Sequence, residues 1–443
     1  MTERVVRTIV LLLLLVPMVF VQTEFSRVAV IRANEADQVI DGFGGSCADF
    51  YEPLSPEMAD FFFTPSGIGL SLLRIQVVPS LADCRSYFGR TGGNCVKVES
   101  GATVLKGELA VAQQAIARGV TVWSTPWSPP ASMKSNGSFI NGGKLLPNYY
   151  SGWAQSMADF VSLLKSNGVS LYAISVQNEP DLTTDYGSAT FSSQELHDFV
   201  PYLHSALRSK GVEETKIMIS EASGWNFRLT WASMSDPGVA GDVGILAAHG
   251  YGSTSMVAPA SFGKHVWQTE DSSESGTYDG GMTDALSWAT KIHMYLALTQ
   301  VNAWHWWFLS DGIKYGNGTD NAALTDINLN YPKRAYVTGQ WSKFVRPGWH
   351  RIGVSYSGPL QITAFKSADD NSFAIAVVNP GNTVIRQTYV LDDIQAKFVN
   401  PWATSSTLSL APLRRVSVVG STFTYEMPAQ SVVTFTGTAD KLR

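Results

Sequence analysis

The stretch LYAISVQNEPD, residues 171–181, joins a buried-strand pattern to a polar end. Apolar residues dominate its first half, which predicts a β-strand, and Pro180 stops that strand. Asn178 and Glu179 therefore stand at the carboxyl end of the strand. In a closed α/β barrel these ends form the floor of the active site, so the pair is a candidate catalytic site. A carboxylate that merely faces water at a loop start is the plainer interpretation.

Strands and helices alternate on both sides of this stretch, and the strands are almost continuously apolar. Such strands favour a parallel sheet covered on both faces, and eight of them fit a closed barrel. We therefore predict the α/β class and a (β/α)8 TIM barrel. Strand candidates begin at Val39 and continue at residues 70–75, 120–125, 171–176, 216–221, 243–249, 265–270 and 301–308. Helices are predicted at residues 107–118, 149–167, 192–210, 226–234 and 283–300.

Two further predicted strands end on a glutamate, KIMISE at Glu221 and KHVWQTE at Glu270. Strands four and seven face each other across a barrel mouth, and by this count they carry Glu179 and Glu270. Hydrolysis of a glycosidic bond needs two such carboxyl groups flanking the bond, so Glu179 and Glu270 are the predicted catalytic pair. For Glu221, on strand five, we expect a role in orienting neighbours or pairing with Arg74.

The side chains around this pair suggest a ligand made of sugar rings. Asn178 can hydrogen-bond a sugar hydroxyl beside the acid. Trp127, Tyr251 and Trp307 lie at strand exits, where flat rings could stack on a sugar, although most aromatic residues simply fill cores.

The sequence patterns at the two ends of the chain differ from the alternating strands and helices of the predicted barrel. Residues 1–23 resemble a signal peptide, with Arg4 and Arg7 before an apolar run, so a secreted or extracytoplasmic protein is expected. An uncleaved anchor is the alternative. Residues 24–40 alternate as one or two edge strands with a turn at 34–37, and they are expected to pair with a β-sandwich tail at 347–438. The catalytic barrel then occupies residues 41–346.

Composition excludes several partners. The net charge of −5 and the lack of any Lys/Arg run argue against a nucleic-acid partner. The seven histidines show no metal-ligand spacing, so neither a metal nor another cofactor is expected. In an oxidising compartment Cys84 and Cys95 could form a disulfide, which would leave Cys47 unpaired. After signal cleavage we expect a monomer with no membrane association.

Seven ordered motifs resemble the landmarks of glycoside hydrolase family 30, most closely its bacterial xylanase branch, and they span nearly the whole chain after the signal segment. They are DGFGG at 41, TPWSPPASM at 125, LYAISVQNEPD at 171, HGYG at 249, WQTE at 267, WSKFVRPG at 341 and PAQSVVTF at 428. The resemblance implies a barrel with an attached β-sandwich and a retaining, endo-acting hydrolase of a β-linked plant cell-wall polysaccharide. It implies acid/base and nucleophile roles for Glu179 and Glu270, and sugar subsites that include Asn178, Trp127, Tyr251 and Trp307.

The loop after strand eight departs from the glucuronoxylan-specific members that the chain resembles. Those members carry two arginines there, whereas this chain has Ser310 and Asp311. A bidentate grip on a glucuronate carboxylate is lost, and Asp311 would repel that group. Lys314 and Tyr315 offer a partial replacement, and Tyr315 is counted with Arg74 among the predicted substrate-binding residues.

The sequence therefore predicts an endo-β-1,4-xylanase that does not require glucuronic acid branches. A β-1,6-galactanase or β-1,6-glucanase of the same family is the alternative within the enzyme class. The alternative from another class is a polysaccharide-binding protein that kept the barrel and lost the chemistry.

Overall fold

The computed structural model describes residues 28–87, 95–98, 101–252, 256–273, 277–310 and 321–439. The predicted signal peptide lies outside these residues, and so do Asp311, Lys314 and Tyr315. Among the helices of the described residues, none has the length and apolar character needed to cross a membrane.

A closed barrel of eight parallel strands forms within the described residues, which confirms the predicted fold class. The first strand of the chain, β1 (Val28–Val39), belongs to a side domain. The barrel strands are β2 (Gly42–Ser46), β3 (Leu72–Val77), β4 (Thr121–Pro126), β5 (Leu171–Ser175), β6 (Lys216–Ala222), β7 (Val243–Ala248), β8 (His265–Gln268) and β9 (Ala303–Phe308). Glu179 follows the fourth barrel strand and Glu270 the seventh, as the sequence predicted.

Helices cover the outside of the barrel. They are α1 (Pro56–Phe63), α2 (Leu81–Tyr87), α3 (Lys106–Ile116), α4 (Tyr150–Ser166), α5 (Ser193–Ser209), α6 (Trp231–Ser235), α7 (Pro237–Ala240), α8 (Met282–Met294) and α9 (Lys333–Ser342). The capping box predicted for α5 is present, because Ser192 and Glu195 satisfy each other's backbone N–H groups.

The predicted helix at residues 226–234 is wrong in its extent. The structure has a 3₁₀ turn, Arg228–Thr230, followed by the short helix α6. The side chain of Asn226 accepts a hydrogen bond from the backbone N–H of Arg228, a local bond that competes with helix formation. This irregular segment leaves its aromatic side chains near the carboxyl-end face of the barrel.

Large apolar side chains fill the barrel interior and close it below the site. Trp123 and Trp267 meet edge to face with ring centroids 6.0 Å apart, and Tyr172 stacks on Trp267 at 5.8 Å. Both tryptophans are fully buried, and their N–H groups are satisfied by His305 and Asp41 respectively. The barrel is therefore a packed support and not a pore.

The side domain is one mostly antiparallel sheet that curls round its own apolar core. Besides β1 it contains β10 (His350–Ser355), β11 (Gln361–Lys366), β12 (Ser372–Asn379), β13 (Ile385–Asp392), β14 (Phe398–Thr404), β15 (Ala411–Pro412), β16 (Val416–Ser417), β17 (Thr422–Met427) and β18 (Ser431–Thr438). The predicted pairing of the N-terminal segment with the tail is confirmed, because β1 lies between β10 and β13.

The predicted form of that segment needs correction. It is a single interior strand and not one or two edge strands with a turn at residues 34–37. The register with β10 shifts between Arg32 and Ala36, so the polar residues that predicted a turn form an irregularity within one strand.

The cysteines behave as the sequence suggested. Cys84 and Cys95 are joined by a disulfide, with 6.6 Å between their Cα atoms. Cys47 is a free, buried thiol. The disulfide ties α2 to the chain that leads into α3.

Candidate active site

A cleft of about 580 Å³ opens at the carboxyl ends of the barrel strands. Five of the residues singled out from the sequence line it: Trp127, Glu179, Tyr251, Glu270 and Trp307. Sequence analysis did not anticipate the contributions of Asp49, Gln76, Leu182, Tyr186, Ser223, Gly224 and Gly252 to the same lining. The cleft therefore brings the proposed carboxylates and the strand-exit aromatic side chains into one space.

The two glutamates are close neighbours. A carboxylate oxygen of Glu179, one of Glu270 and a ring nitrogen of His249 all lie within 4.8 Å of one another. Glu179 is 6% exposed and Glu270 is 5% exposed, so both reach the cleft while most of each side chain is buried. Two carboxyl groups about 5 to 5.5 Å apart are typical of glycosidases that retain anomeric configuration.

The backbone turns sharply where the glutamates leave their strands. Glu179 and Glu221 have φ angles of 43° and 45°, in the left-handed region that non-glycine residues rarely adopt. The amide of Glu179 donates to the carbonyl of Glu221 at 3.0 Å, and that of Asn178 donates to Pro126 at 2.9 Å. Strain of this kind persists only where neighbouring structure enforces it, and it concentrates at functional sites.

Arg74 lies beneath the glutamates with no exposed surface. Its guanidinium donates to a carboxylate oxygen of Glu270, to Oδ1 of Asn178 at 2.6 Å and to Glu221 at 3.1 Å. The predicted pairing of Glu221 with Arg74 is confirmed. Arg74 itself was assigned to substrate binding, but the structure places it below the cleft floor, where it contacts protein groups.

Three tryptophan rings surround the same guanidinium. The Arg74 Cζ atom lies 4.6 Å from the ring centroid of Trp127, 5.2 Å from that of Trp123 and 5.6 Å from that of Trp307. Cation–π contacts strengthen when the cation is desolvated, as it is here. The rings of Trp127 and Trp307 thus support the buried cation and also form part of the cleft wall.

His249 is the central residue that sequence analysis did not assign. It is fully buried. Its Nδ1 atom lies 3.2 Å from a carboxylate oxygen of Glu179 and 3.7 Å from one of Glu270, and its Nε2 atom lies 3.6 Å from one of Glu221. Burial lowers the pKa of His249, but the charge of Glu270, the hydrogen bond with Glu179 and the nearby carboxylate of Glu221 outweigh burial and raise that pKa to about 10. The HGYG motif contained this residue, and its position after β7 was the available signal.

Two tyrosine hydroxyls complete the hydrogen bonds of the carboxylates. Tyr251 donates to Glu270 at 3.0 Å, and Tyr186 donates to Glu179 at 2.8 Å. Tyr251 was predicted at this site, whereas Tyr186 was missed because it lies in an irregular loop with no motif to mark it. Each proposed catalytic carboxylate therefore accepts a hydrogen bond from a different tyrosine hydroxyl.

The surrounding cations favour the ionised form of two carboxyl groups. Burial raises the pKa of Glu221, but the charge of Arg74 and the nearby imidazolium of His249 bring that pKa down to about 2. Burial likewise raises the pKa of Glu179, and the hydrogen bonds and charges of His249, Tyr186 and Arg74 lower it below its ordinary value. The carboxylate form of Glu179 is thus favoured beside the His249 imidazolium.

The distances among Glu179, His249 and Glu270 would allow a bound metal ion. The chemistry of the cluster does not favour one, because a cation there would face the buried guanidinium of Arg74 and a histidine that holds its proton. This charge arrangement is a separate argument against a metal ion held by these three residues.

The loop after β9 is described only in part. Ser310 is buried, and its hydroxyl accepts a hydrogen bond from Thr325 at 2.6 Å. Residues 311–320 lie outside the described chain, and they include the predicted site residue Tyr315. Its role stays a prediction.

Comparisons with known proteins identify the family of the barrel. Residues 40–296 match the glycosyl hydrolase family 30 TIM-barrel domain. The chain belongs to glycoside hydrolase family 30. It is 29% identical to glucuronoxylanase XynC of Bacillus subtilis (strain 168), over 98% of this chain and 99% of that protein.

Solved structures place this glycoside hydrolase beside family 30 xylanases. The subfamily 8 xylanase Xyn30A of Clostridium acetobutylicum superposes with a TM-score of 0.79 at 29% identity, covering 93% of this chain and 99% of that one. A family 30 endoxylanase of Clostridium papyrosolvens C71 gives 0.76 at 27% identity, covering 93% and 100%.

The site predicts a specific dependence of stability on pH. A proton on His249, held with a folded pKa of about 10 against an ordinary 6.5, stabilises the fold fully below pH 6.5, and this contribution is lost as pH rises towards 10. In the variant His249→Gln we therefore expect the stability difference from wild type to shrink over that interval, by at most about 1.4 kcal/mol per pH unit.

Chemical denaturation of both proteins at pH 6, 8 and 10 measures this difference. Lysines and tyrosines titrate in both proteins, so their contributions cancel in the comparison. Parallel loss of stability in wild type and variant would show that His249 does not hold its proton as described.

Proposed function

We propose that this family 30 enzyme is a retaining, endo-acting hydrolase of β-1,4-xylan that does not require glucuronic acid branches. The observation that carries the proposal is the approach of the Glu179 and Glu270 carboxylates to within 4.8 Å in an open cleft. This separation suits direct attack by one carboxylate and leaves too little room for the water that an inverting enzyme places between the two.

The reaction begins with attack of Glu270 on the anomeric carbon. The bond to the leaving oxygen breaks as Glu179 delivers a proton to that oxygen. This yields a covalent glycosyl-enzyme and releases the other part of the xylan chain with a new hydroxyl group. Glu179, now ionised, removes a proton from water, and the water oxygen displaces Glu270. Two inversions at the same carbon restore the original β configuration.

The neighbouring groups make these roles feasible. Arg74 and Tyr251 hold Glu270 in place through hydrogen bonds to its two oxygens. A sugar in the cleft excludes water, and this raises the pKa of Glu179 through the burial contribution already present. The Nδ1 atom of His249 lies 3.2 Å from an oxygen of Glu179, so the imidazolium is placed to exchange a proton with that carboxylate.

The relatives favour xylan as the substrate. The relative that matches over nearly its full length is a glucuronoxylanase, and the two similar solved structures are xylanases. Independence from glucuronate is favoured by the sequence of the loop after β9. Residues 309–320 contain no arginine and a single cation, Lys314. A planar, bidentate partner for a carboxylate branch is therefore lacking in that loop.

The catalytic assignment predicts different losses for the two glutamates. Glu270→Gln should lower kcat on xylan at least about 10³-fold, because the nucleophile is removed. Glu179→Gln should lower kcat about 10²- to 10⁴-fold on xylan. On an aryl xyloside with a good leaving group, the first step of Glu179→Gln should persist as a burst of released phenol, since that leaving group needs no proton.

Glu214→Gln, at an exposed surface ion pair with Lys165, is the matched control and should retain full activity. Rates are measured by reducing-sugar release and by stopped-flow detection of the phenol. Full activity in Glu270→Gln, or loss of the burst in Glu179→Gln, would contradict the assignment.

Substrate choice is tested with a panel of polymers. We expect kcat/KM on unbranched xylan and on glucuronoxylan to agree within about threefold, since a lost branch contact of a few kcal/mol would separate them by far more. Activity confined to glucuronoxylan would contradict branch independence. Activity on β-1,6-galactan or β-1,6-glucan alone would establish the alternative substrates, and release of sugar from any of the four would remove the non-catalytic alternative.

A further inference from the structure

A second concave surface lies on the loops that follow β6 and β7, with a volume of about 630 Å³. Its lining is dominated by large apolar side chains, and it is called the aromatic pocket below. Its principal residues are Trp225, Phe227, Trp231, Val257, Pro259 and Phe262.

The aromatic pocket presents unusually open apolar groups. Trp231 is 66% exposed, Val257 is 64% exposed and Phe262 is 45% exposed. Single exposed apolar residues are ordinary, but several around one concavity mark a binding surface. Phe262 also has a φ of 51°, a left-handed conformation that is unfavourable for a bulky residue. This backbone strain lies in a surface loop outside the barrel core, and such strain is often found at functional sites.

The floor of the pocket is rigid. The indole N–H of Trp225 donates to the carbonyl of Val257 at 2.9 Å, which links the two loops. The Trp225 ring packs edge to face on Phe227 at 4.9 Å and on Tyr295 at 5.1 Å. A ligand would therefore meet a preformed surface and would cost little conformational entropy on binding.

The aromatic pocket and the catalytic cleft are neighbours along the chain. Ser223 and Gly224 line the cleft, and the next residue, Trp225, lines the pocket. A Cβ atom at Gly224 would lie 3.1 Å from the carbonyl oxygen of Tyr251, so the glycine allows the two loops to approach closely at this junction. The loop after β6 therefore contributes to the lining of both concave surfaces.

We propose that the aromatic pocket binds sugar rings of the same polysaccharide chain, beyond the bond that is cleaved; this inference rests on the proposed function. The apolar faces of pyranose rings suit flat aromatic side chains. The exposed polar residues Asn226 and Arg228 lie among the aromatic side chains of the pocket and can hydrogen-bond the hydroxyl groups of a sugar. The site would make the enzyme prefer long chains over short ones.

Kinetics on substrates of two lengths test the proposal. Trp231→Ala and Phe262→Ala should each lower kcat/KM on polymeric xylan about fivefold, the loss of one stacking contact. The same variants should keep wild-type kcat/KM on an aryl xylobioside, which is too short to span the cleft and the pocket. Tyr202→Ala, on α5 and 46% exposed, is the matched aromatic control and should behave as wild type on both substrates. Equal effects on long and short substrates, or none on either, would overturn the proposal.

A binding measurement separates this proposal from the catalytic one. Glu270→Gln and the double variant Glu270→Gln, Trp231→Ala are run through native gels that contain xylan, galactan or glucan. Retardation of the first protein and its loss in the second supports the pocket, even if wild type hydrolyses none of the polymers and the proposed function fails. Equal mobility of the two proteins in every gel would overturn the pocket, even if wild type proves to be a xylanase.

Discussion

The buried guanidinium of Arg74 is the interaction on which the site depends. It joins the side chains of three different barrel strand exits, because it donates to Glu270, Asn178 and Glu221 at once. Carboxyl groups confined this closely would repel one another in a water-poor site, and the guanidinium together with the His249 imidazolium offsets that repulsion. Removing one partner from such a cluster typically costs about 3 to 5 kcal/mol, since the remaining charges stay buried. The position of Arg74 on β3 is therefore as much a part of the site as the glutamates.

The barrel supplies what this cluster needs. Its interior is filled by Trp123 and Trp267 together with smaller apolar side chains, and this close packing holds the strands in place beneath the carboxylates. The backbone at Glu179 and Glu221 adopts left-handed conformations that only a firm surrounding structure can impose. Rigid strands and strained exits thus hold the Glu179 and Glu270 carboxylates close together in one cleft, and the aromatic side chains at the same exits form part of its wall.

Strand periodicity made much of this architecture predictable. Apolar strands ending on glutamate placed Glu179 and Glu270 on the fourth and seventh strands, and Ser192 with Glu195 marked the start of α5. Interactions between segments that are distant in the sequence were harder to predict. The turn predicted in residues 34–37 is an irregularity within β1, because Ala36 and Val39 continue the pairing with β10 and so override the local polar pattern. Tyr186 and the central position of His249 also escaped prediction, since each acquires its role only from carboxylates brought to it by the fold.

Trapping the covalent intermediate tests the central claim most directly, namely that two opposed carboxylates share one bond as nucleophile and acid/base. An activated 2-deoxy-2-fluoro-β-xylobioside forms a glycosyl-enzyme that hydrolyses slowly, and peptide mass spectrometry locates the attached sugar. The account predicts one added disaccharide, attached to Glu270, with release of the β anomer first when xylan cleavage is followed by ¹H NMR. Attachment of the sugar to any other residue, or initial release of the α anomer, would contradict it.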